Sequence, residues 1–245
     1  MREKILKEYE EGKRDFTGIN LKGINLDNVC LKNVDFSDSN FEGASINNSN
    51  LVKMNFYRAN LKGITINNSK LVISELSFAN LEYSNIQHSI LVKNEIFSAI
   101  INFADFSYCN LSKTNFLGSQ LINAKFLYSY SDHANFGGCN LRDANMRNAN
   151  LNYSSLIDTY MSKVDLTGAN CSNTEFIGTN LVSAILDNVN FFHSYMLDVD
   201  LKNASLKNAN LKDIYNISNS DWTDADFTGT GYEIDGDNLV YRGDE

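Results

Sequence analysis

The 245-residue sequence contains no proline, four cysteines, three histidines and a single tryptophan. Because proline donates no hydrogen bond to a β-ladder, its absence favours a chain whose backbone N–H groups are nearly all used. The cysteines at 30, 109, 139 and 171 lack the paired spacing of a metal site and are predicted to be reduced. No apolar stretch is long enough to cross a membrane, and the charged start MREKILKEYEEGKR is unlike a signal peptide. We therefore expect a cytoplasmic protein without a membrane partner.

The net charge of −9 is concentrated near the C-terminus. Residues 1–14 carry +1 and residues 213–245 carry −8, which leaves −2 for residues 15–212. The long middle of the chain is therefore nearly neutral. We expect no direct binding to nucleic acid, which requires a basic surface.

The sequence does contain an apolar residue at every fifth position from Phe16 to Leu211. Of these 40 positions, 38 are Leu, Ile, Phe or Met, and only Ser131 and Cys171 depart. Positions five apart scatter around an α-helix, and on a straight strand they point to opposite faces. All of these side chains can share one interior only if each repeat contains a corner.

The residues around each fifth position agree with a corner. In the repeat 59–63, small Ala59 lies two residues before Leu61, polar Asn60 lies between them, and Gly63 follows two residues later. Gly, Asn and Asp recur at that last position, and they tolerate tight turns. The pattern predicts one short extended side and one corner in every repeat.

Repeats such as Ala-Asn-Leu-Lys-Gly at 59–63 and Ala-Asn-Leu-Asn-Tyr at 149–153 resemble the pentapeptide-repeat family over about four fifths of the chain. The resemblance implies an all-β fold, a right-handed quadrilateral β-helix solenoid with four repeats per coil. The number four comes from the family, since the period alone allows other polygons. Ten coils of twenty residues are then expected, and four columns of inward side chains define a first, second, third and fourth side that begin at Phe16, Leu21, Leu26 and Leu31.

The chain is expected to divide into three parts. Residues 1–14 are predicted to form an amphipathic helix, with Ile5, Leu6 and Tyr9 on one side, that caps the solenoid. Residues 15–212 form the repeat body. Residues 213–245 are predicted to be a partial coil and an irregular acidic cap, because the period slips by one residue within 212–217 before Trp222. An Asp-Gly pair in the last fifteen residues suggests a hairpin.

Two outward surfaces are candidates for contact with a partner, because contiguous exposed apolar residues often mark an interface. One runs along the first side. Its residues are Tyr57, Phe78, Phe97, Leu117, Ile157, Ile177 and Leu197. The other lies on the fourth side and consists of Val52, Val72, Val92, Lys53, Lys93 and Lys113. Strand propensity alone is the alternative explanation for both surfaces.

No arrangement of residues indicates catalysis, a cofactor or a metal. The three histidines, His88, His133 and His193, are predicted to point outward and to lie too far apart to share an ion. Ser131-Asp132-His133 has the letters of a catalytic triad, but Ser131 is expected to point inward. The sequence contains no P-loop, dinucleotide fingerprint or nucleophile elbow.

We therefore expect a non-enzymatic solenoid that binds an unidentified protein partner, or a second copy of itself, through a long face. The resemblance implies one alternative, since some members of the family imitate duplex DNA and protect DNA gyrase from quinolones or toxins. The charge of −2 on the repeat body and the unbroken register from 16 to 211 argue against that alternative.

Overall fold

A computed structural model describes residues 1–236 and 238–243 of the chain. Parallel β-bridges join residues that are twenty apart, as in the series Asn20, Asn40, Asn60 and Asn80. The same spacing recurs on all four sides along the body of the chain. The fold is a β-helix solenoid, and the predicted twenty-residue repeat is confirmed.

The sides are held together by backbone hydrogen bonds in both directions along the stack. The Leu21 amide donates to the Asn40 carbonyl at 2.7 Å, and the Asn40 amide donates to the Ile19 carbonyl at 3.0 Å. This pattern repeats from coil to coil, so each short side is a rung of a parallel ladder. A proline at these donor positions would remove a rung, which explains the absence of proline from the repeats.

Continuous strands form on the fourth side of the first three coils. Strand β1 (Cys30–Lys32) pairs in parallel with β2 (Asn50–Val52), which pairs with β3 (Lys70–Val72). The register sets Leu31, Leu51 and Leu71 directly in line. The other sides of the body are joined by single bridges rather than by strands.

The fifth positions form the core, as predicted. All of them from Phe16 to Leu211 are buried, including Ser131 and Cys171. Aromatic rings stack along the columns, with centroids 5.0 Å apart for Phe116–Phe136. The small residues two positions earlier, such as Ala59 and Ala79, are buried as well and leave room for the large side chains.

The corners depend on a backbone conformation that few residue types favour. The residue two after each centre takes a positive φ, as at Gly43 (65°) and Asn48 (54°). Many corners also close with a turn hydrogen bond, such as the Ala44 amide donating to the Phe41 carbonyl at 2.9 Å. The predicted preference for Gly, Asn and Asp follows from this geometry. The same conformation is also forced on Ile73 (54°).

An N-terminal helix packs on the beginning of the solenoid. Helix α1 (Arg2–Glu10) buries Ile5, which is 1% exposed, against the core. The Tyr9 hydroxyl accepts a hydrogen bond from the Lys32 amide at 3.1 Å, and the Arg2 guanidinium donates to the Asp27 carbonyl at 3.0 Å. The helix therefore covers backbone and apolar groups of the first coil that would otherwise face water.

The period changes once near the C-terminal end. Tyr195 bridges Tyr215 at a spacing of twenty residues, whereas Asp200 bridges Asp221 at twenty-one. The Met196 amide donates to the carbonyl of Tyr215, but the Asp198 amide donates to that of Ser218. The extra residue therefore lies between 215 and 218, within the predicted segment.

A hairpin follows the last partial coil. Trp222 is 9% exposed and packs on Phe227, with ring centroids 5.5 Å apart. Strand β4 (Tyr232–Asp235) then pairs antiparallel with β5 (Asn238–Tyr241), so the predicted terminal hairpin is present. Three of the acids that make this segment acidic, Asp237, Asp244 and Glu245, lie outside the described residues.

Candidate interaction surfaces

The first-side surface begins with a cluster of exposed aromatic side chains. The exposed fractions are 38% for Tyr57, 48% for Phe78 and 37% for Phe97. Tyr57 and Phe97 follow a buried centre by one residue, so they point outward two coils apart. Phe78 occupies the corner of the coil between them, with φ at 60°.

The corner conformation turns the Phe78 ring back over the first side. Its centroid lies 5.6 Å from that of Tyr57 and 5.4 Å from that of Phe97, with both pairs edge to face. The structure therefore brings three of the seven predicted residues into one continuous cluster. Such edge-to-face pairs are favourable beyond simple burial, which fixes the rings in place.

The remaining first-side residues extend the apolar row along the rod. Leu117 is 39% exposed, whereas Ile157, Ile177 and Leu197 are partly buried. Gly137 interrupts the row, and a side chain there would meet the Leu117 Cδ1 atom at 3.1 Å. The row is thus prominent at the aromatic end and flat beyond Leu117.

Glycines also flatten the adjoining corner. Gly118, Gly138 and Gly178 follow the first-side centres by two residues, where Phe78 stands in an earlier coil. All three have positive φ, between 63° and 70°. The same corner therefore carries a protruding ring near one end of the surface and glycines farther along, and the Asp158 carboxylate lies against Gly178.

Charged groups flank the first-side surface. The Arg58 Nε atom lies 3.2 Å from the Asp38 Oδ1 atom. Glu95 accepts a hydrogen bond from the Asn115 amide group at 2.8 Å. Within the described part of the chain, no basic side chain lies within 4.0 Å of the Asp198 carboxylate.

The fourth-side surface is smaller and basic. Its valines follow the inward leucines of the flat side that contains β2 and β3. Val52 and Val92 are partly buried and Val72 is only 8% exposed, so Val72 offers little contact area. Lys53, Lys93 and Lys113 are exposed, and none has a carboxylate within 4.0 Å among the residues that the structure describes.

Sequence reasoning missed the stacks of aromatic rings on other corners, among them His133 on Tyr153 at 5.0 Å. Tyr83 and Phe103 stack at 5.0 Å, and His88, Tyr108 and Tyr128 form a second stack with spacings of 4.8 and 5.3 Å. These residues occupy the positive-φ position. Their signal in the sequence was an aromatic residue where Gly, Asn or Asp is usual.

The structure gathers no catalytic arrangement from the predicted or missed residues. His133 pairs with its neighbour Asp132 at 2.7 Å, while Ser131 is fully buried. Burial raises the pKa of the Cys109 thiol, which also donates to the Ile86 carbonyl, to about 12, so that thiol is a poor nucleophile. Over residues 1–236 and 238–243, no group of three or more His, Cys, Asp or Glu side chains is placed to hold a metal ion.

An open groove of about 560 Å³ lies at the corner between the third and fourth sides. Its walls include Asn48, Asn68, Lys70 and Ile90.

No helix in the described residues has the length and apolar character needed to span a bilayer.

The family model for pentapeptide repeats matches the chain in eight copies and covers more than half of its length. The matched ranges are 14–43, 35–71, 99–129, 132–168, 154–191 and 184–214. No curated protein sequence matches this chain.

Several solved structures are similar to this chain. HetL, a pentapeptide repeat protein involved in heterocyst differentiation regulation from the cyanobacterium Nostoc sp. strain PCC 7120, is 21% identical, with 92% of this chain and 94% of HetL covered and a TM-score of 0.34. Full-length QnrB1, a plasmid-mediated fluoroquinolone resistance protein, is 18% identical, with coverage of 74% and 92% and a TM-score of 0.43. Rfr23 from the cyanobacterium Cyanothece 51142 is 18% identical, with coverage of 90% and 99% and a TM-score of 0.16. At these identities the likeness concerns the fold alone.

Proposed function

Because the chain belongs to the pentapeptide-repeat family, we propose that it is a non-catalytic solenoid that binds a protein partner through its first-side surface. The proposal includes a right-handed quadrilateral rod of about ten coils, capped by helix α1 at one end and by the irregular acidic segment 213–245 at the other. The fourth-side surface is a second, smaller candidate for contact.

The observation that carries the proposal is the exposed cluster of Tyr57, Phe78 and Phe97. Phe78 keeps 48% of its surface exposed while its backbone holds a positive φ, which costs an L-residue about 1 kcal/mol. Glycine or asparagine would relieve that cost. Large aromatic side chains dominate binding energy in protein interfaces, so a cluster in this setting supports a role in docking.

The proposal is tested by comparing two variants that each remove exposed aromatic surface. Phe78→Ser with Phe97→Ser removes the cluster, and Tyr160→Ser removes a ring that is 62% exposed on the second side. Each immobilised protein is incubated with an extract of the native cell, and the retained proteins are identified. A partner retained by the wild type and by Tyr160→Ser, but lost from the double variant, supports the first-side surface. Equal retention by all three proteins refutes it.

The DNA-mimic alternative predicts protection of DNA gyrase. The repeat body carries a charge of −2, which is far below the field of a phosphate backbone. A gyrase supercoiling assay with a quinolone tests this alternative directly. Absence of protection at a stoichiometric excess of the protein excludes it, and protection would replace the proposal made above.

We place this function in the cytoplasm. All four cysteines have free thiols, and Cys109, Cys139 and Cys171 are buried, which fits a reducing compartment.

A further inference from the structure

We propose that the first-side surface binds a second copy of this chain, with the two rods antiparallel. This inference rests on the proposed function, since it names the partner of that surface. It is argued from the self-complementarity of the surface about its own midpoint, in apolar contacts and charge.

The position of the two-fold axis follows from the extent of the apolar row. The row runs from Tyr57 to Leu197, so an axis that buries all of it passes midway, between the coils of Leu117 and Gly137. An axis in the interface plane and perpendicular to the rods pairs like rows with like rows. Residue n of the row then faces residue 254 − n of the second copy.

This register sets apolar groups opposite one another. Tyr57 faces Leu197 of the second copy, and Phe97 faces Ile157 of the second copy. Leu117 faces Gly137 of the second copy, over which that copy's own Leu117 leans, so the two leucine side chains meet next to the axis. By symmetry, each of these contacts occurs twice.

The corner residues are paired by the same register. Phe78, the most exposed ring of the cluster, faces Gly178 of the second copy, where the Asp158 carboxylate of that copy lies against the glycine. Gly118 faces Gly138 next to the axis, so the two backbones can approach closely there.

Charge supports the same register at the rim. Arg58 faces Asp198 of the second copy, and Asp198 has no basic side chain within 4.0 Å among the described residues of its own chain. One pair opposes the register, because Glu75 faces Glu175 of the second copy. A dimer of parallel rods has less complementary contacts. In that arrangement the apolar row of one copy faces the row of the other copy that contains Glu75 and Glu95.

The interface is small. Seven coil steps of about 4.8 Å and a width of about 13 Å give roughly 450 Å² on each copy, or roughly 900 Å² in total. Specific interfaces of that size are weak. We therefore expect a dimer with a dissociation constant on the order of 10 µM rather than a permanent assembly.

Sedimentation velocity over about 1–300 µM tests the proposal, with circular dichroism as a check that each variant is folded. The wild type and Tyr160→Glu are expected to dimerise, whereas Phe97→Glu is expected to remain monomeric. Arg58→Glu is expected to weaken the dimer about tenfold, and Arg58→Glu with Asp198→Arg to restore it. Glu75→Gln is expected to tighten the dimer a few fold, because it removes the one repulsive pair.

The inference is overturned if the wild type stays monomeric throughout, or if Phe97→Glu dimerises as well as Tyr160→Glu does. Failure of the charge swap to restore the dimer overturns the register. The wild type can be monomeric and still retain a partner from the extract. If the Phe78→Ser and Phe97→Ser variant then loses that partner, the first-side surface remains a binding surface, but its occupant is another protein. Equal retention by that variant overturns the surface itself.

Discussion

A buried amide inside one corner provides a sharp test of how the coils are held together. Asn94 is fully buried at a position that is small or apolar in most repeats. Its Oδ1 atom accepts a hydrogen bond from the Ser74 amide at 2.8 Å, and its Nδ2 atom donates to the Leu71 carbonyl at 2.7 Å. Leu71 and Ser74 are the two ends of a corner that would otherwise close on itself. The Asn94 side chain thus replaces the turn hydrogen bond of the coil below.

Replacing Asn94 with leucine removes the side-chain partner of both backbone groups, and its similar volume keeps the corner from narrowing to form its own turn hydrogen bond. A buried polar group that loses its hydrogen bond costs about 1–3 kcal/mol, and two such groups are affected here. Burial of the leucine side chain offsets part of this cost. We therefore expect Asn94→Leu to lower the free energy of unfolding by about 2–4 kcal/mol.

Asn94→Ser is the matched control, because a serine plays the same role one repeat later in the next coil. The Ser119 hydroxyl accepts a hydrogen bond from the Ala99 amide at 3.0 Å and donates to the Ile96 carbonyl at 2.6 Å. The serine variant should therefore retain more stability than the leucine variant. Its shorter side chain would need the corner to narrow.

Urea unfolding followed by circular dichroism measures the loss, and amide hydrogen exchange at Ser74 locates it. If repeats unfold separately, the exchange rate at Ser74 still reports the local effect. A change of less than about 0.5 kcal/mol in Asn94→Leu, with unchanged exchange at Ser74, would refute the view that this side chain completes the corner.

Three further predictions concern the core, a strained corner and the thiols. Leu71→Asp should unfold the solenoid because it buries an unpaired charge, while Lys62→Ala should change the melting temperature little; equal melts would mean that the assigned inward register is wrong. Ile73→Asn should stabilise the protein by about 1 kcal/mol in urea unfolding, since Ile73 holds a φ of 54°, and a loss of stability would contradict the strain argument. Iodoacetamide should label exposed Cys30 in the native protein but not buried Cys109, as judged by mass spectrometry; equal labelling would contradict the assigned burial.

The regular part of the fold could be predicted because the constraint repeats. Every coil must bury a large residue such as Leu61 and turn a corner at a residue such as Gly63. The same five-residue pattern therefore recurs many times in the sequence. Any single repeat is weak evidence, but an unbroken phase from Phe16 to Leu211 leaves few other folds. The register slip near 216 was visible for the same reason, because it interrupts the pattern, whereas the hairpin was predicted from the Asp235-Gly236 pair.

The geometry of the candidate interaction surfaces was predicted only in part. The period identified Tyr57 and Phe97 as outward residues, but not that the Phe78 ring would bridge them from a corner. The aromatic stacks, including Tyr83 with Phe103, were missed because corner positions were expected to hold small or polar residues.

The sequence by itself determined which side chains point inward and where the chain turns, since both follow from a local pattern that is present in every repeat. Only the tertiary structure decided how residues twenty or more positions apart meet: the Asn94 amide inside the Leu71–Ser74 corner, the ring contacts of Phe78, and the burial of Val72. These contacts depend on the spacing of neighbouring coils and on the direction in which a corner side chain leans. Neither quantity is encoded in the five-residue pattern, because that pattern describes one coil at a time.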